Sequence, residues 1–227
     1  MCGRFTLTLT PELARWFEIF GIDVNELNIV SQYNIAPTTP VLTIISGADK
    51  NYPRRMRWGL VPRWSREING KYAMINARDD KILETRPYAG PFKNQRCLIP
   101  ASGFYEWKKG PNKTRFPLYF SLKAGEPMAF AGIWERACPG GEEVLSCTII
   151  TTSPNELVKP IHDRMPVILP PDLYRDWMDP RNEKIEDLLS MLQPLDAGQM
   201  KAYPVSSDVN NVRNQDAQLI VPVGADI

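Results

Sequence analysis

The sequence predicts an α+β fold: a largely antiparallel, curled and β-barrel-like sheet core with peripheral helices. Three observations point there. Short apolar runs of strand length recur through the middle of the chain, turn residues separate them, and helical segments with cap signals flank them. The 227 residues read as a single domain, 1–227, because no internal repeat, low-complexity tract or clear linker interrupts them.

The elements follow in order. Residues 4–9 read as a strand, since Phe5, Leu7 and Leu9 alternate with polar neighbours. Thr10 then suits a helix N-cap, Pro11 the first helical position and Gly21 the end. Residues 41–45 form a short apolar strand, and 54–60 another, rich in cations and carrying Trp58. The middle of the chain holds candidate strands at 96–99, 104–108, 118–122, 128–134, 145–151 and 166–169. Turns separate them, including Lys109-Gly110-Pro111-Asn112 and Pro139-Gly140-Gly141. Ser153-Pro154-Asn155-Glu156 is a capping-box signature, predicting a short helix that ends near Pro160 and leaves His162 just beyond it. Later helices are expected at 171–178 and 185–192, and a closing strand at 203–205.

Composition narrows the function classes. Hydrophobic residues make up 43% and charged residues 23%, as in soluble globular proteins. No apolar run approaches the ~18 residues that span a bilayer, so no membrane partner is expected. Met1-Cys2-Gly3-Arg4-Phe5-Thr6 has no apolar signal core, so a cytoplasmic location is expected. A net charge of +1 means that nucleic-acid binding must come from a local cation cluster. The four cysteines, Cys2, Cys97, Cys138 and Cys147, form no C-x-x-C pair, so neither a zinc site nor a redox motif is indicated. Cys97, Cys138 and Cys147 read as small buried hydrophobes. With one histidine, His162, a His-rich metal centre is excluded. No metal and no cofactor are expected.

Cys2 carries the most distinctive chemistry. Removal of Met1 would leave an α-amine and a thiol on adjacent carbons. Such a 1,2-aminothiol condenses with an aldehyde to an imine, and the sulfur then closes a five-membered thiazolidine. Reference pKa values of ~8 for the amine and ~8.5 for the thiol keep both nucleophiles partly available near neutrality. Intramolecular closures of this kind reach effective molarities on the order of 10⁵–10⁸ M.

Other segments add to it. In Met74-Ile75-Asn76-Ala77-Arg78, Asn76 offers an amide to orient a substrate oxygen and Arg78 a partner for phosphate, although such a stretch also serves as a plain turn. Glu106 lies between Tyr105 and Trp107 on an expected strand, either facing outward or held in apolar company with a raised pKa suited to proton exchange. His162, beside Asp163 and Arg164, suits a general acid next to a phosphate contact, or a structural hydrogen bond. Residues 54–66 interleave five arginines with Trp58 and Trp64. Cations track phosphates and indoles stack on unpaired bases, at ~1–3 kcal/mol per base. Trp58 reads as core, and Trp64, beyond Pro62, as the exposed ring.

Together these segments resemble the SRAP family, and a bacterial member of it. The resemblance rests on Met1-Cys2-Gly3-Arg4-Phe5, Tyr33-Asn34-Ile35-Ala36-Pro37, Trp58-Gly59-Leu60-Val61-Pro62, Ile75-Asn76-Ala77-Arg78, Gly103-Phe104-Tyr105-Glu106-Trp107 and Ile161-His162-Asp163-Arg164-Met165-Pro166. Val205-Ser206, Asn210-Asn211-Val212 and Asn214 fit its C-terminal pattern.

The resemblance implies a protein that senses and shields abasic sites in single-stranded DNA, acting as a monomer and joining the nucleoid when bound to DNA. It implies that Cys2 crosslinks to the abasic aldehyde after a self-catalysed, peptidase-like removal of Met1. It places Asn76, Glu106 and His162 in the active site, and Arg4, Asn34, Trp64, Arg78 and Arg164 against the strand. Here Arg63 and Ser65 flank Trp64, where a related member has two adjacent tryptophans. Two other readings fit the same residues. One is a cysteine hydrolase using Cys2 and His162 on a peptide or amide in trans. The other is a non-covalent single-strand binding module built on Trp64 and the arginines.

Overall fold

The computed structural model describes residues 2–47, 49–68 and 73–224. Met1, central to the proposed processing step, lies outside them. The strands are β1 (Phe5–Leu7), β2 (Gln32–Ile35), β3 (Pro40–Ser46), β4 (Asn51–Trp58), β5 (Asn76–Arg78), β6 (Arg96–Ala101), β7 (Gly103–Lys109), β8 (Arg115–Leu122), β9 (Met128–Ala137), β10 (Val144–Thr152), β11 (Met165–Pro166), β12 (Ile168–Leu169) and β13 (Met200–Pro204). The helices are α1 (Pro11–Glu18), α2 (Arg86–Asn94), α3 (Tyr174–Met178) and α4 (Ile185–Ser190), with short 3₁₀ turns between elements.

Among the described residues the strands form two sheets. One runs β13-β8-β7-β1-β2, and the other β11-β10-β4-β3-β6-β9-β12, with β5 added beside β10. β9 also pairs with β10, which closes β4, β3, β6, β9 and β10 into a ring. Pairing is antiparallel except where β10 runs parallel to β4 and then to β5. The expected curled, mostly antiparallel α+β architecture is the one observed. Closure of the ring removes the edges those five strands would otherwise expose, whereas the other sheet stays open at β13 and β2.

Aromatic side chains join the two sheets. Phe5 of β1 meets Trp58 of β4 edge-on at 5.1 Å and Phe130 of β9 at 5.8 Å. Phe104 of β7 stacks on Phe120 of β8 at 4.9 Å and reaches Phe130 at 6.2 Å. All five rings are almost wholly buried. Each contributes about 1.5–3 kcal/mol of burial, so this bridge fixes the sheets against each other. It also fixes the chain three residues before Phe5, where Cys2 lies.

Local signals explain the ends of the elements. Thr10 caps α1 by accepting the Leu13 N–H at 3.2 Å, and Pro11 takes the first position. Gly21 follows with φ +68°, a conformation that glycine adopts without strain. Gly103 admits no side chain, since a Cβ there would meet Tyr119 Cζ at 2.4 Å and Phe120 O at 2.5 Å.

Three sequence expectations are corrected. The segment after Ser153 forms turns rather than a helix: Asn155, not Ser153, accepts the Val158 N–H, and His162 N–H reaches Val158 O at 3.0 Å. Cys138 is exposed, because it opens the Pro139–Gly141 turn, while Cys97 and Cys147 are buried as expected. Helix α2 was not anticipated, since Pro87, Gly90 and Pro91 are all helix-disfavouring. Pro87 falls in the first turn, where its missing N–H costs nothing.

Candidate active site

The site is assembled around β1. Phe5 pairs with Phe104 and Thr6 with Gly103, and Tyr105 N–H donates to Arg4 O at 2.9 Å. Continuing this antiparallel register sets Gly3 opposite Glu106. Along β7, Phe104 points into the inter-sheet core and Tyr105 into a second cluster with Tyr119, Val205 and Val209. Strand alternation then turns Glu106 to the Phe104 side, beside the N-terminal segment. Both faces of β7 are covered, so Glu106 is only 4% exposed.

Burial raises the Glu106 pKa, and the neighbouring His162 opposes that rise. The Cys2 thiol is fully buried. Burial pushes its pKa up, and the Glu106 carboxylate pushes it further. Cys2 Sγ lies 3.9 Å from Arg4 O.

Asn76 opens β5 and holds this segment. Its Nδ2 donates to Cys2 O at 2.9 Å. Three contacts fix Asn76 itself. β5 pairs with β10 through Asn76 and Ile149, Tyr88 of α2 donates its hydroxyl to Asn76 O at 3.1 Å, and Trp58 Nε1 donates to the preceding Ile75 O at 2.9 Å. Burial raises the Tyr88 hydroxyl to about 12, so it stays protonated and able to donate. Among the described residues, the buried Asn76 Oδ1 has no hydrogen-bond partner. One end of the amide is spent on Cys2 while the other keeps an acceptor.

His162 sits on the β10–β11 connection, and its side chain is 28% exposed. The Arg164 N–H donates to Nδ1 at 3.0 Å, while Asp163 Oδ1 lies 2.9 Å from the same nitrogen. One nitrogen cannot accept the first and donate to the second. The backbone bond is the more constrained of the two, because the Asp163 side chain is 87% exposed. Neutral His162 therefore carries its proton on Nε2.

The remaining expected residues fall into two groups. Arg164 is 9% exposed and bound to Asp79 and Thr151 O, with Asp80 at 3.9 Å, so it anchors the His162 turn to β10 and to the turn that follows β5. Asn34 is 1% exposed, and its Nδ2 lies within 3.0–3.2 Å of Val209 O, Asn211 O and Asn214 O. Arg4 Nη1 donates to Asn34 Oδ1 at 2.7 Å and to Val209 O at 2.9 Å, and its guanidinium lies 5.7 Å from the Trp107 ring. Arg4 and Asn34 thus latch the C-terminal segment beside the site. Arg78 and Trp64 face outward. Arg78 forms a bidentate pair with Asp80 at 2.6 and 3.0 Å, and Trp64 is 44% exposed with Arg86 4.6 Å from its ring centre. Trp58 is core, as read.

The structure therefore gathers Cys2, Asn76, Glu106 and His162 into one region and leaves Trp64 outside that set, against Arg86 of α2. Asp79 and Tyr88 are supporting residues that the sequence reading missed. The Asp79-Asp80 pair directly after Arg78 was a visible charge signal, whereas Tyr88 lay inside the unrecognised helix. No helix among the described residues is long and apolar enough to cross a membrane.

Fold and site define a class: a curled, ring-closed sheet whose second residue is a cysteine, buried beside a carboxylate and a histidine. The chain belongs to the SRAP (SOS response associated peptidase) family, whose model matches residues 1–212. It is similar to abasic site processing protein YoqW of Bacillus subtilis (strain 168), with 44% identity over 223 residues, covering 97% of this chain and 99% of that one. It is also similar to abasic site processing protein YedK of Escherichia coli (strain K12), with 32% identity, covering 98% of this chain and 100% of that one. A crystal structure of a protein from Bacteroides thetaiotaomicron superposes with a TM-score of 0.83 at 28% identity, covering 98% of this chain and 100% of that one.

Proposed function

We propose that this chain senses abasic sites in single-stranded DNA and shields them as a covalent thiazolidine at Cys2, once Met1 has been removed. Two relatives that it matches over nearly their whole length bear the name abasic site processing protein. The observation that carries the reading is the Asn76 hydrogen bond to Cys2 O. It holds the residue whose amine and sulfur must meet one carbon, beside a buried carboxylate.

Processing hydrolyses the Met1–Cys2 amide, a peptidase-like step performed by the chain on itself. The abasic sugar then opens. His162 gives a proton to the ring oxygen as the C1′ hydroxyl loses one, leaving an aldehyde at C1′. The Cys2 amine attacks C1′ to form a carbinolamine, which loses water to give the imine. The sulfur adds to the imine carbon and its proton passes to nitrogen, closing the ring. Glu106 relays these protons, since a raised pKa brings a carboxyl closer to exchange near neutrality. Asn76 Oδ1 accepts a sugar hydroxyl. The saturated ring removes the imine that would promote β-elimination, so the strand stays intact.

Arg78 and Trp64 meet the strand directly, with Arg4 beside the site. Asn34 and Arg164 act through the segments they pin.

Intact mass spectrometry tests the whole sequence. Processed protein mixed with abasic single-stranded DNA gains the mass of the oligonucleotide less one water, and Cys2→Ala gives no stable adduct. A wild-type protein that keeps Met1, or that forms no adduct after losing it, overturns the reading.

A further inference from the structure

One cavity outside this site is lined by a buried glutamate with one carboxylate oxygen that no described group bonds. It lies between the loop after β4, the second half of α2 and β9, and its volume is about 400 Å³. Arg63, Trp64, Arg86, Lys93 and Glu135 line it. Glu135 is 4% exposed. Its Oε1 accepts the Arg136 N–H at 3.2 Å, but the Arg136 side chain turns away to Glu143 at 3.0 Å. Among the described residues, no donor and no cation pairs with Glu135 Oε2. With Oε1 held by the backbone, Oε2 is left as an acceptor in the cavity lining, where a ligand N–H or O–H can reach it.

The walls define that ligand. The Arg86 guanidinium lies over one face of the Trp64 ring, and such a cation–indole pair offers planar groups on which a base can stack. Arg63, Arg86 and Lys93 suit a phosphate. Glu135 accepts only N–H or O–H donors. A phosphate alone would face the carboxylate, and a simple amine would face three cations. A nucleotide answers all three walls. Among the bases, guanine presents N1–H and the N2 amino group side by side, matching one carboxylate. Adenine and cytosine place an amino group next to a ring acceptor, and thymine sets its single N–H between two carbonyls.

We infer that this cavity is a subsite for one unstacked guanine of the bound strand, with Glu135 reading its Watson–Crick edge. The inference rests on the proposed single-stranded DNA reading and adds base selectivity to it. Helix α2 links the two places, since Tyr88 touches Asn76 O while Asn94, six residues on and about 9 Å along the axis, lines the cavity. The guanine therefore belongs to the same strand, a few nucleotides from the abasic position.

Two measurements test it. First, the dissociation constant of an intact oligothymidylate is compared with that of the same strand carrying a single dG. A bidentate base contact predicts tighter binding of the dG strand by about 5- to 150-fold. dA or dC at that position gains less, and Glu135→Gln, isosteric and foldable, brings the dG strand down to the dT value. Equal affinity of the wild type for all four strands, or an unchanged dG preference in E135Q, overturns the subsite. Second, abasic strands carrying dG at successive flanking positions are compared for crosslinking, where one position is expected to be fastest. Crosslinking at a rate independent of that base sinks the subsite and leaves the proposed function standing. A dG preference in the first assay with no crosslinking in the second does the reverse.

Discussion

Truncating Asn76 separates stability from chemistry. Asn76→Ala removes the donor to the Cys2 carbonyl, a bond of 2.9 Å at a residue with no exposed surface. A buried acceptor left unpaired costs about 1–3 kcal/mol. The same truncation deletes Asn76 Oδ1, itself buried without a partner among the described residues, and relieves a cost of about the same 1–3 kcal/mol. The two nearly cancel, so N76A melts within about 2–4 °C of wild type, the shift that 1 kcal/mol produces in a chain of this size. Crosslinking has no such offset. The Cys2 backbone loses its tether and the sugar loses its acceptor, so about 1–3 kcal/mol of positioning is lost and the rate falls by about 5- to 150-fold. Asn76→Asp keeps an oxygen at Oδ1 but sets a second oxygen against the Cys2 carbonyl, and it is the worse variant in both respects. The assay is a quenched time course of adduct formation on denaturing gels, alongside thermal melts. N76A crosslinking at the wild-type rate, or N76D milder than N76A, would refute the reasoning.

Glu106→Gln tests the buried carboxyl through pH. The folded pKa lies above the unfolded value of ~4.3, so the protonated form favours the fold. Its contribution is fully present below ~4.3 and is lost as pH rises through the folded pKa. E106Q cannot ionise, so its stability relative to wild type rises over that window in urea titrations, and parallel pH curves would contradict the assignment. Arg96 is a second test, of the scaffold. It is 2% exposed, with burial lowering its pKa to about 10, and its guanidinium bonds Phe92 O, Lys93 O, Trp177 O, Asp179 O and Asn182 O. Lysine keeps the charge but not the fork, leaving buried carbonyls unpaired at about 1–3 kcal/mol each. R96K should melt at least about 4 °C below wild type by calorimetry, and an unchanged melt would show that charge alone suffices.

What the sequence made legible was local. The Thr10-Pro11 start of α1, the strand runs and the contrast between buried Trp58 and exposed Trp64 follow from patterns a few residues long. The prolines and glycine of α2 disguise it, because propensity counts all three as breakers, although Pro87 falls in the tolerant first turn and buried Tyr88, Pro91 and Phe92 hold the rest by packing. Asn155 displaced Ser153 as the cap through a bond that capping-box spacing does not specify. Within the site, the residue types were legible and their assembly was not. The inward turn of Glu106 depends on β1 lying across β7, a pairing of residues about a hundred positions apart. The internal roles of Asn34 and Arg164 likewise depend on Val209 and Asp79, which no periodicity connects to them.

The thiol environment favours one of the two proposed uses of Cys2. A cysteine hydrolase acting in trans gains from an available thiolate, which proteins obtain with an adjacent base or by lowering the thiol pKa with a neighbouring cation or a helix N-terminus. Here burial and the Glu106 charge act in the opposite direction. The resting sulfur is therefore protonated and inert toward general electrophiles. A thiazolidine does not need a standing thiolate, because the sulfur attacks only after the amine has captured the aldehyde, and a protonated imine is a strong acceptor one ring-closure away. Removing Met1 also replaces an uncharged amide with an ammonium on the carbon next to that bearing sulfur, and a cation at that range draws the thiol pKa back down. On the proposed mechanism, burial keeps the unprocessed cysteine quiet, and processing together with a bound aldehyde supplies the reactivity. The order can be tested with a soluble alkylating reagent. Chain that retains Met1 should be alkylated at Cys2 more slowly than processed chain, and equal rates would remove burial and charge as the control.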